Sequence, residues 1–584
     1  MRRHTRPQSL QSGKVKYQTY ELSICVPFRH AFLGPIFFAV PTSSIMAAAA
    51  AAVRYHVVPP ACLFIYERGF YEHFCSSRQI PLATSMAKFT SFTKSAAPSL
   101  LTAPPSPASL PSYHSGDPDD ELVTSLTLDC FKLNGSSQPI FLGSVQQQLQ
   151  AILGSVDVDR CDANGENAFF VADLSEIYRQ HMRWMQALPR IVPFYAVKCN
   201  ADPHVLRLLA AMGTGFDCAS NGEIHAVLNL GVSPSRIIYA NPCKAASFVR
   251  NAAANNIGLT TFDNVDELYK MKKFHSTCKL VVRILTDDSK SACQLGLKFG
   301  APLDVVPKLL AKTRELELDV VGVSFHVGSG CYDPNSFADA IARARRAFEY
   351  GRDAGYTFDL LDVGGGYDHD NFETIADVLR PAIDECFPDA EFAPGGSLVQ
   401  GKPHGLRIIA EPGRYYVQKA FSLACNIIAK RDGRSEENVI PDAAPAQEKN
   451  SSEEKPEIML YQNDGVYGAF NNIMFDHQSV TPKVLTLKRE FTYGREAEVV
   501  QWRLRPCSVW GPTCDSIDLV RKVCYLPEDL EVGDWLIYEN MGAYTICAAS
   551  TFNGLQRSEV RYTLGSPSIV GKGDAERVRD LLIR

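Results

Sequence analysis

Short apolar runs alternate with helical segments through the middle of the chain. Eight such runs begin at PFYAVK, and each is nearly continuous in hydrophobic residues, which is typical of parallel strands buried on both faces. They span residues 193–198, 214–220, 236–241, 259–263, 279–285, 320–328, 360–366 and 407–413. Eight strand–helix units in about 220 residues predict a (β/α)8 barrel. A doubly wound open sheet is the alternative, but it usually has fewer strands and a GxGxxG motif at its first turn, which is absent here.

The pattern changes after the eighth run. Many short strands separated by turn residues predict an all-β second domain of an α/β protein. We therefore expect a (β/α)8 barrel domain over 167–413 and a C-terminal β-domain over 414–584, with a disordered insertion at 431–457, which is polar, charged and proline-bearing. Residues 120–166 are expected to pack with the β-domain.

Residues 1–119 differ from the rest of the chain. The first 20 residues contain basic but no acidic side chains, and 95–112 are rich in proline, serine and alanine. This composition predicts a disordered extension or a targeting segment, and an over-extended reading frame is a third explanation, since Met46 and Met86 are both plausible starts.

Composition and charge exclude several classes of protein. The chain is 46% hydrophobic and 21% charged, with a net charge of −6, which argues against nucleic acid or anionic membrane as the main partner. The 17 cysteines show no CxxC pairs, so we expect free thiols, no metal site and a cytoplasmic location. No apolar stretch approaches the roughly 20 residues that a membrane span needs.

Polar residues collect where the predicted barrel strands end. In a (β/α)8 barrel this rim carries the chemistry. The candidates on it are Lys198, Asp217, Glu223, Arg283, His326, Gly364, Gly365, Gly366, Glu411 and Arg414. Any one of them alone is more often structural, and the buried carboxylates would equally suit an ion-pair network.

The glycines and the lysine together suggest a cofactor. The triple glycine after the seventh strand offers backbone N–H groups that suit a phosphate, and Arg414 and Ser329 lie on neighbouring loops. A lysine, a phosphate site and a carboxylate on one rim indicate pyridoxal phosphate. Lys198 would form the Schiff base, Glu411 would pair with the pyridinium nitrogen and His326 could stack on the ring.

The second domain adds acids and a thiol at tight turns. Asp476 and Asp515 could bind a cationic amine by paired charge. Cys514 could donate a proton, although a cysteine is more often a buried structural residue with no chemical role.

At these residues the chain resembles the eukaryotic ornithine decarboxylases, in the alanine-racemase-like (fold type III) group of pyridoxal enzymes. The resemblance covers residue 120 to the end except the insertion. Its motifs are PFYAVKCN, GFDCASNGEI, FHVGSGC, DVGGGY, EPGRYYV, NDGVYGAFN, FDH, WGPTCDSID and ENMGAYT.

The resemblance implies a role for each matching position. The cofactor would be pyridoxal 5'-phosphate on Lys198, with His326 and Cys514 as further catalytic residues, and the substrate would be L-ornithine. The phosphate would be held by Ser329, Gly366, Arg414 and Tyr544; the EPGR motif adds Pro412 and Gly413; the substrate side would comprise Tyr467, Phe475, Asp476 and Asp515. The reaction implied yields putrescine and CO2, the first step of polyamine biosynthesis.

The resemblance also implies partners. The family is a homodimer with two shared active sites, so Cys514 and Asp515 would complete the partner's site, and Lys298 would pair with Asp518 across the interface. An antizyme-type regulator is a further candidate partner. The chain departs from the animal pattern at Phe475, where a tyrosine is usual, and at Tyr367, where a phenylalanine is usual.

Three alternatives stay open at this stage. Another decarboxylase of the same fold could act on lysine, which is one methylene longer, although the two aspartates argue against a substrate with a distal carboxylate. A catalytically inactive regulatory homologue would be expected to have lost cofactor residues, which this chain keeps. A racemase would need a second base where this chain has Cys514.

Overall fold

The computed structural model describes residues 130–133, 138–388, 391, 397–399, 402–434, 455–495, 502–565 and 572–583. The extension predicted for 1–119 lies outside the described residues. Most of the insertion predicted at 431–457 does too, although a strand continues to Asp432 and the chain is described again from Lys455.

Eight parallel strands close into a barrel, as the eight apolar runs predicted. Every predicted run contributes one strand, and the first pairs with both the second and the last. The barrel strands are Ile191–Ala196, Gly215–Cys218, Ile237–Tyr239, Leu259–Phe262, Lys279–Arg283, Asp319–Ser324, Leu360–Asp362 and Arg407–Ala410.

The barrel interior is filled by one apolar residue from each of seven strands. These are Phe194, Ile238, Leu259, Val281, Val321, Leu360 and Ile409. The remaining strand places Gly215 against the Phe194 ring, where a Cβ would lie 2.5 Å from the ring carbons. The interior is therefore a packed core, and chemistry is confined to the rim.

A second sheet of ten strands lies outside the barrel. Its main path runs, in spatial order, through Cys130–Lys132, Pro139–Phe141, Glu559–Thr563, Phe169–Asp173, Phe421–Asp432, Ile458–Gln462, Leu504–Trp510 and Leu519–Pro527, and Trp535–Tyr538 joins Phe421–Asp432 to Lys483–Val484. Three two-stranded pairs complete the described strands: Ser291–Cys293 with Ser329–Cys331, Ser397–Val399 with Lys402–His404, and Thr486–Leu487 with Glu490–Phe491.

One strand within the range expected for the barrel domain pairs in the second sheet. Phe169–Asp173 was placed in the barrel domain, but it pairs with Phe421–Asp432 and Glu559–Thr563 in the second sheet. Both of its faces are buried, with Phe169 and Val171 packing on Leu149. A strand buried on both faces in the second sheet has the same continuous apolar sequence as a barrel strand, so the sequence does not distinguish the two.

Helices flank the barrel strands and begin at recognisable caps. Asp202 accepts N–H groups of the helix that starts at Pro203, and Ser220 accepts the N–H of Glu223 in the next helix. The helices are Val145–Ser155, Leu174–Ala187, Pro203–Ala211, Asn221–Leu228, Ala246–Ala254, Val265–Phe274, Val306–Glu315, Asn335–Asp353, Phe372–Cys386, Arg414–Val417, Asn471–Phe475 and Lys572–Ile583. Short 3-10 turns occur at Val197–Cys199, Pro234–Arg236, Ile546–Ala548 and Phe552–Gly554.

Within the described part of the chain, no helix combines the length and the apolar character needed to cross a bilayer. The 14 cysteines described there are free thiols.

Candidate active site

Lys198 lies where the first barrel strand ends. The strand stops at Ala196, and a single 3-10 turn buries Val197 and Cys199 while leaving 40% of the Lys198 side chain exposed. That exposure is to a cavity of about 390 Å³ on the barrel rim. Lys198 Nζ donates a hydrogen bond to Asp217 Oδ2, whose carboxylate is completely buried at the end of the second strand.

Ten predicted site residues line this one cavity. They come from the ends of five barrel strands and from the second domain: Lys198, Arg283, His326, Ser329, Gly365, Gly366, Glu411, Gly413, Arg414 and Tyr544. The structure therefore brings most of the predicted rim together around the amine of Lys198.

Carboxylates dominate the electrostatics near the lysine. Burial lowers the pKa of Lys198, but Asp217 and Glu411 outweigh burial, so its net pKa is raised. Burial and the Glu411 charge raise the pKa of Asp217 to about 8, even though Lys198 pulls in the opposite direction. The Lys198–Asp217 contact therefore joins a partly exposed amine to a completely buried carboxyl group.

Glu411 is the anionic centre of the cavity. Burial opposes its ionisation, but His326 and Lys198 lower its pKa to about 2. Its Oε2 lies 2.8 Å from His326 Nε2, and its Oε1 is buried with no hydrogen-bond partner among the described residues. A buried carboxylate oxygen without a partner is a place where a ligand donor is expected.

The tautomer of His326 follows from its two neighbours. The N–H of Gly365 donates to His326 Nδ1 over 3.1 Å, so the ring proton belongs on Nε2, which faces Glu411. Burial, followed by the Arg283 charge, lowers the pKa of His326. The imidazole is therefore neutral and fixed in orientation at neutral pH.

The three glycines 364–366, called here the glycine cradle, adopt a backbone conformation that residues with a Cβ could not adopt without a clash. Gly364 has φ of +64°, and a Cβ there would lie 1.8 Å from the Phe325 carbonyl oxygen. Gly366 has φ of +120°, and a Cβ there would meet Val327 Cγ2 at 2.7 Å. The backbone at these two glycines is thus packed closely against Phe325 and Val327.

Arg414 lies beside this cradle. Its Nη2 donates to Ser329 Oγ over 3.3 Å, and its guanidinium carbon lies 5.4 Å from the centre of the Tyr544 ring. The same nitrogen donates to both carboxylate oxygens of Asp476, at 2.7 and 2.5 Å. Asp476, predicted to contact substrate, is therefore buried against a residue predicted to contact phosphate.

Other predicted residues lie at the edge of the cavity or beyond it. Arg283 is buried with its guanidinium 5.1 Å from the centre of the Phe299 ring. Glu223 does not line the cavity, because its carboxylate accepts the N–H of Ala219 at the start of its own helix. Phe475 points outward and is 74% exposed.

Cys514 and Asp515 lie away from Lys198 within the chain. They line a separate depression of about 270 Å³ together with Trp510 and Arg431. Asp515 Oδ2 accepts the hydroxyl hydrogen of Tyr467 over 2.5 Å, and Tyr467 stacks on Phe552. One chain by itself does not bring the predicted proton donor to the lysine.

Asp518 has several hydrogen-bond partners within its own chain. It is buried and accepts the N–H of Val466 at 2.8 Å and both the N–H and the hydroxyl of Thr513, at 2.9 and 2.6 Å. Lys298 lies on the cavity side, with its Nζ 4.9 Å from the Phe299 ring centre. The interchain pair remains a prediction.

Comparison with known proteins identifies the family. A family model described as the pyridoxal-binding domain of pyridoxal-dependent decarboxylases matches residues 174–418. The ornithine decarboxylase of Schizosaccharomyces pombe is 50% identical over 410 residues, 70% of this chain and 86% of that protein. The chain belongs to the ornithine decarboxylase family of pyridoxal-dependent decarboxylases.

Two further similarities show the breadth of this ornithine decarboxylase family. Antizyme inhibitor 2 of Xenopus laevis is 48% identical over 403 residues, 68% of this chain and 81% of that protein. The crystal structure of the Paramecium bursaria Chlorella virus arginine decarboxylase matches with a TM-score of 0.61 at 30% identity, over 72% of this chain and all of that one.

The cavity fits the pyridoxal phosphate on which this family depends. Gly365 and Gly366 let a phosphate approach the backbone of the cavity wall, and Arg414 and Ser329 beside them supply side-chain donors. The unpartnered Oε1 of Glu411 offers an acceptor for a protonated ring nitrogen. Lys198 presents the amine that a carbonyl cofactor needs.

One residue of this site was not singled out from the sequence. Asp362 is fully buried at the end of the seventh strand, and its Oδ1 accepts the N–H of Gly364 at 2.9 Å. Burial and the nearby Glu411 charge raise its pKa well above its ordinary value. Its position two residues before the triple glycine was the available signal, but a strand-end aspartate in an apolar run resembles an ordinary turn residue.

Proposed function

We propose that the chain removes the α-carboxylate of L-ornithine as CO2 and yields putrescine, with pyridoxal phosphate as its cofactor. The observation that carries this is the convergence of Lys198, the glycine cradle and the Glu411 carboxylate on one cavity. In a chain 50% identical to an ornithine decarboxylase, that set of residues assigns the cofactor and the class of reaction together.

Each residue then has a task toward the cofactor. Lys198 anchors it, and the cradle with Arg414, Ser329 and Tyr544 holds its phosphate. When bound, pyridoxal phosphate supplies an electron sink for the bond that breaks as CO2 leaves. Glu411, whose pKa is lowered to about 2, would accept a hydrogen bond from the ring nitrogen and so favour the protonated and more electron-withdrawing ring. Neutral His326, fixed by Gly365 and Glu411, supplies a flat surface for stacking.

Two aspartates are the residues proposed to recognise the substrate. Asp476 and Asp515 would attract the distal ammonium of ornithine, and a substrate with a distal carboxylate would be repelled by the same charges. The reaction consumes one proton at Cα in place of the carboxylate. We assign that proton to the Cys514 thiol.

We further propose that the working unit is a homodimer with shared sites. Cys514 lies outside the Lys198 cavity of its own chain, so a second copy is needed to bring the two together. Leu297, Tyr332 and Phe475 are exposed by 88, 67 and 74%. They belong to segments that meet next to the cavity, where Cys293 lies 3.6 Å from Asp476. Exposed apolar groups of this size are expected at an interface.

A second candidate is a catalytically inactive regulator, since antizyme inhibitor 2 is similar over most of the chain. The retention of Lys198 on an open cavity, with an unpartnered Glu411 oxygen, favours the enzyme. Binding of an antizyme-type protein and a cytoplasmic location remain predictions.

The deciding experiment measures CO2 release by the purified full-length protein with pyridoxal phosphate, using carboxyl-labelled L-ornithine, L-lysine and L-arginine in parallel. We expect ornithine to have the highest kcat/KM, above lysine by about 10-fold or more, since one methylene is worth roughly 1–3 kcal/mol. The Lys198→Ala variant is the background control. Preference for lysine, or no CO2 from any of the three, would refute the proposal.

A further inference from the structure

Arg414 and Asp476 form a buried ion pair at the rim of the Lys198 cavity. Both are buried, with side-chain exposures of 5 and 8%, and Arg414 Nη2 contacts both oxygens of the carboxylate. No other carboxylate within the described ranges forms an ion pair with Arg414, and the Cys293 thiol lies 3.6 Å from the Asp476 carboxylate.

The two partners are assigned to different ligands. Arg414 belongs to the phosphate side, next to Ser329, and Asp476 belongs to the side that would attract a distal ammonium. When a phosphate binds, the Arg414 guanidinium contacts two anions, the phosphate and Asp476. When an amine binds, the Asp476 carboxylate contacts two cations, the amine and Arg414.

We propose that Asp476 couples the two subsites, so that an anion at Arg414 and a cationic amine at Asp476 each strengthen the binding of the other. This inference rests on the proposed function. Without ligands, Asp476 neutralises Arg414 and competes with phosphate for its N–H donors. A phosphate at Arg414 weakens the ion pair and leaves the carboxylate with charge to offer an ammonium.

Electrostatics sets the sign of the coupling. Phosphate and the Asp476 carboxylate repel each other when both are held near one buried guanidinium, and charges interact strongly where water is excluded. An ammonium at Asp476 relieves that repulsion. Because binding free energies are reciprocal, the factor by which an amine tightens phosphate binding equals the factor by which phosphate tightens amine binding.

The test uses the full-length apoenzyme and calorimetric titration with pyridoxine 5'-phosphate, which carries the phosphate but has no aldehyde to react with an amine. The titration is repeated with saturating putrescine. We expect putrescine to lower the Kd of pyridoxine 5'-phosphate by about fivefold or more, the lower end of typical coupling factors. An unchanged or raised Kd, or no putrescine binding, would overturn the proposal.

Two variants separate this coupling from simple loss of the amine site. Asp476→Asn removes the competing charge, so it should bind pyridoxine 5'-phosphate more tightly than the wild type without putrescine and should show no putrescine effect. Asp384→Asn is the matched control, because Asp384 pairs with Arg190 on the surface and does not line the cavity. Its Kd should equal the wild-type value, with and without putrescine. Weaker binding by Asp476→Asn, or tighter binding by Asp384→Asn, would contradict the assignment.

The wild-type titrations remain decisive even if a variant fails to fold. The proposed coupling and the proposed enzymatic function can also be refuted independently of each other. Decarboxylation of ornithine without coupling would refute the role of Asp476 as a link, whereas coupling without decarboxylation would refute the proposed function.

Discussion

His326 and Glu411 form a buried contact in which Nε2 of the ring lies 2.8 Å from Oε2 of the carboxylate. Since Gly365 donates to the opposite ring nitrogen, the imidazole has one tautomer and one orientation. The pair joins the end of the sixth barrel strand to the end of the eighth. It also leaves Glu411 Oε1 without a partner among the described residues.

Removing the charge of Glu411 should impair chemistry more than cofactor retention. Glu411→Gln keeps the shape of the side chain but cannot hold a proton on a ring nitrogen, so we expect kcat to fall about 100-fold or more. Steady-state kinetics with cofactor occupancy measured on the same samples checks this. Glu373→Gln is the control, since Glu373 pairs with Arg183 on the surface, and it should stay within about twofold of wild type.

His326 should make the apoenzyme sensitive to mild acid. Its folded-state pKa is lowered below the ordinary value of 6.5, so as pH falls below 6.5 the unfolded chain takes up a proton that the folded chain resists. Stability due to the neutral ring is complete above pH 6.5 and is lost as pH falls through the folded pKa. Thermal unfolding between about pH 7.5 and 5 should show a steeper loss for wild type than for His326→Gln. Parallel curves would contradict this.

The glycine cradle should not tolerate even one methyl group. A Cβ at Gly364 would overlap the Phe325 carbonyl oxygen in a left-handed backbone conformation, so Gly364→Ala should lower the free energy of unfolding by about 3 kcal/mol or more. Gly154 is the matched control: it lies in a helix, no atom stands within 4 Å of the point an alanine Cβ would occupy, and alanine there should be neutral or stabilising by up to about 1 kcal/mol. Urea denaturation of the two variants compares them directly. Equal midpoints would mean that the cradle is not sterically required.

Shared active sites predict complementation between inactive variants. Lys198→Ala and Cys514→Ala should each have little activity alone. After subunit exchange, half of the dimers would be mixed and one of their two sites would carry both wild-type residues, giving about a quarter of wild-type activity. Activity is measured before and after mixing, and sedimentation confirms the dimer. No recovery after demonstrated exchange would place Lys198 and Cys514 in separate functions.

The barrel was predictable because its strands are buried on both faces and therefore consist of near-continuous apolar runs. Phe169–Asp173 lies within the range expected for the barrel domain and is equally buried, but it belongs to the second sheet. Burial is visible in a sequence, whereas the identity of the neighbouring strand depends on contacts with residues as distant as Phe421 and Glu559.

Rim positions were predictable for a similar reason, since barrel topology brings strand ends together wherever they lie in the chain. The contacts between particular rim residues were not predictable from the sequence. The Arg414–Asp476 ion pair joins residues 62 positions apart, and neither residue carries a local signal for the other. Glu223 looked like a site residue from its position, yet its carboxylate serves the backbone of Ala219.

The central claim is that the cavity beside Lys198 holds pyridoxal phosphate through that lysine. The most direct measurement is reduction of the cofactor-loaded protein with borohydride, followed by digestion and mass spectrometry of the labelled peptide. Lys298 lines the same cavity and is the internal comparison. We expect the cofactor mass on Lys198 alone, still present in Lys298→Met and absent in Lys198→Ala. Label on Lys298, or no stable label at all, would contradict it.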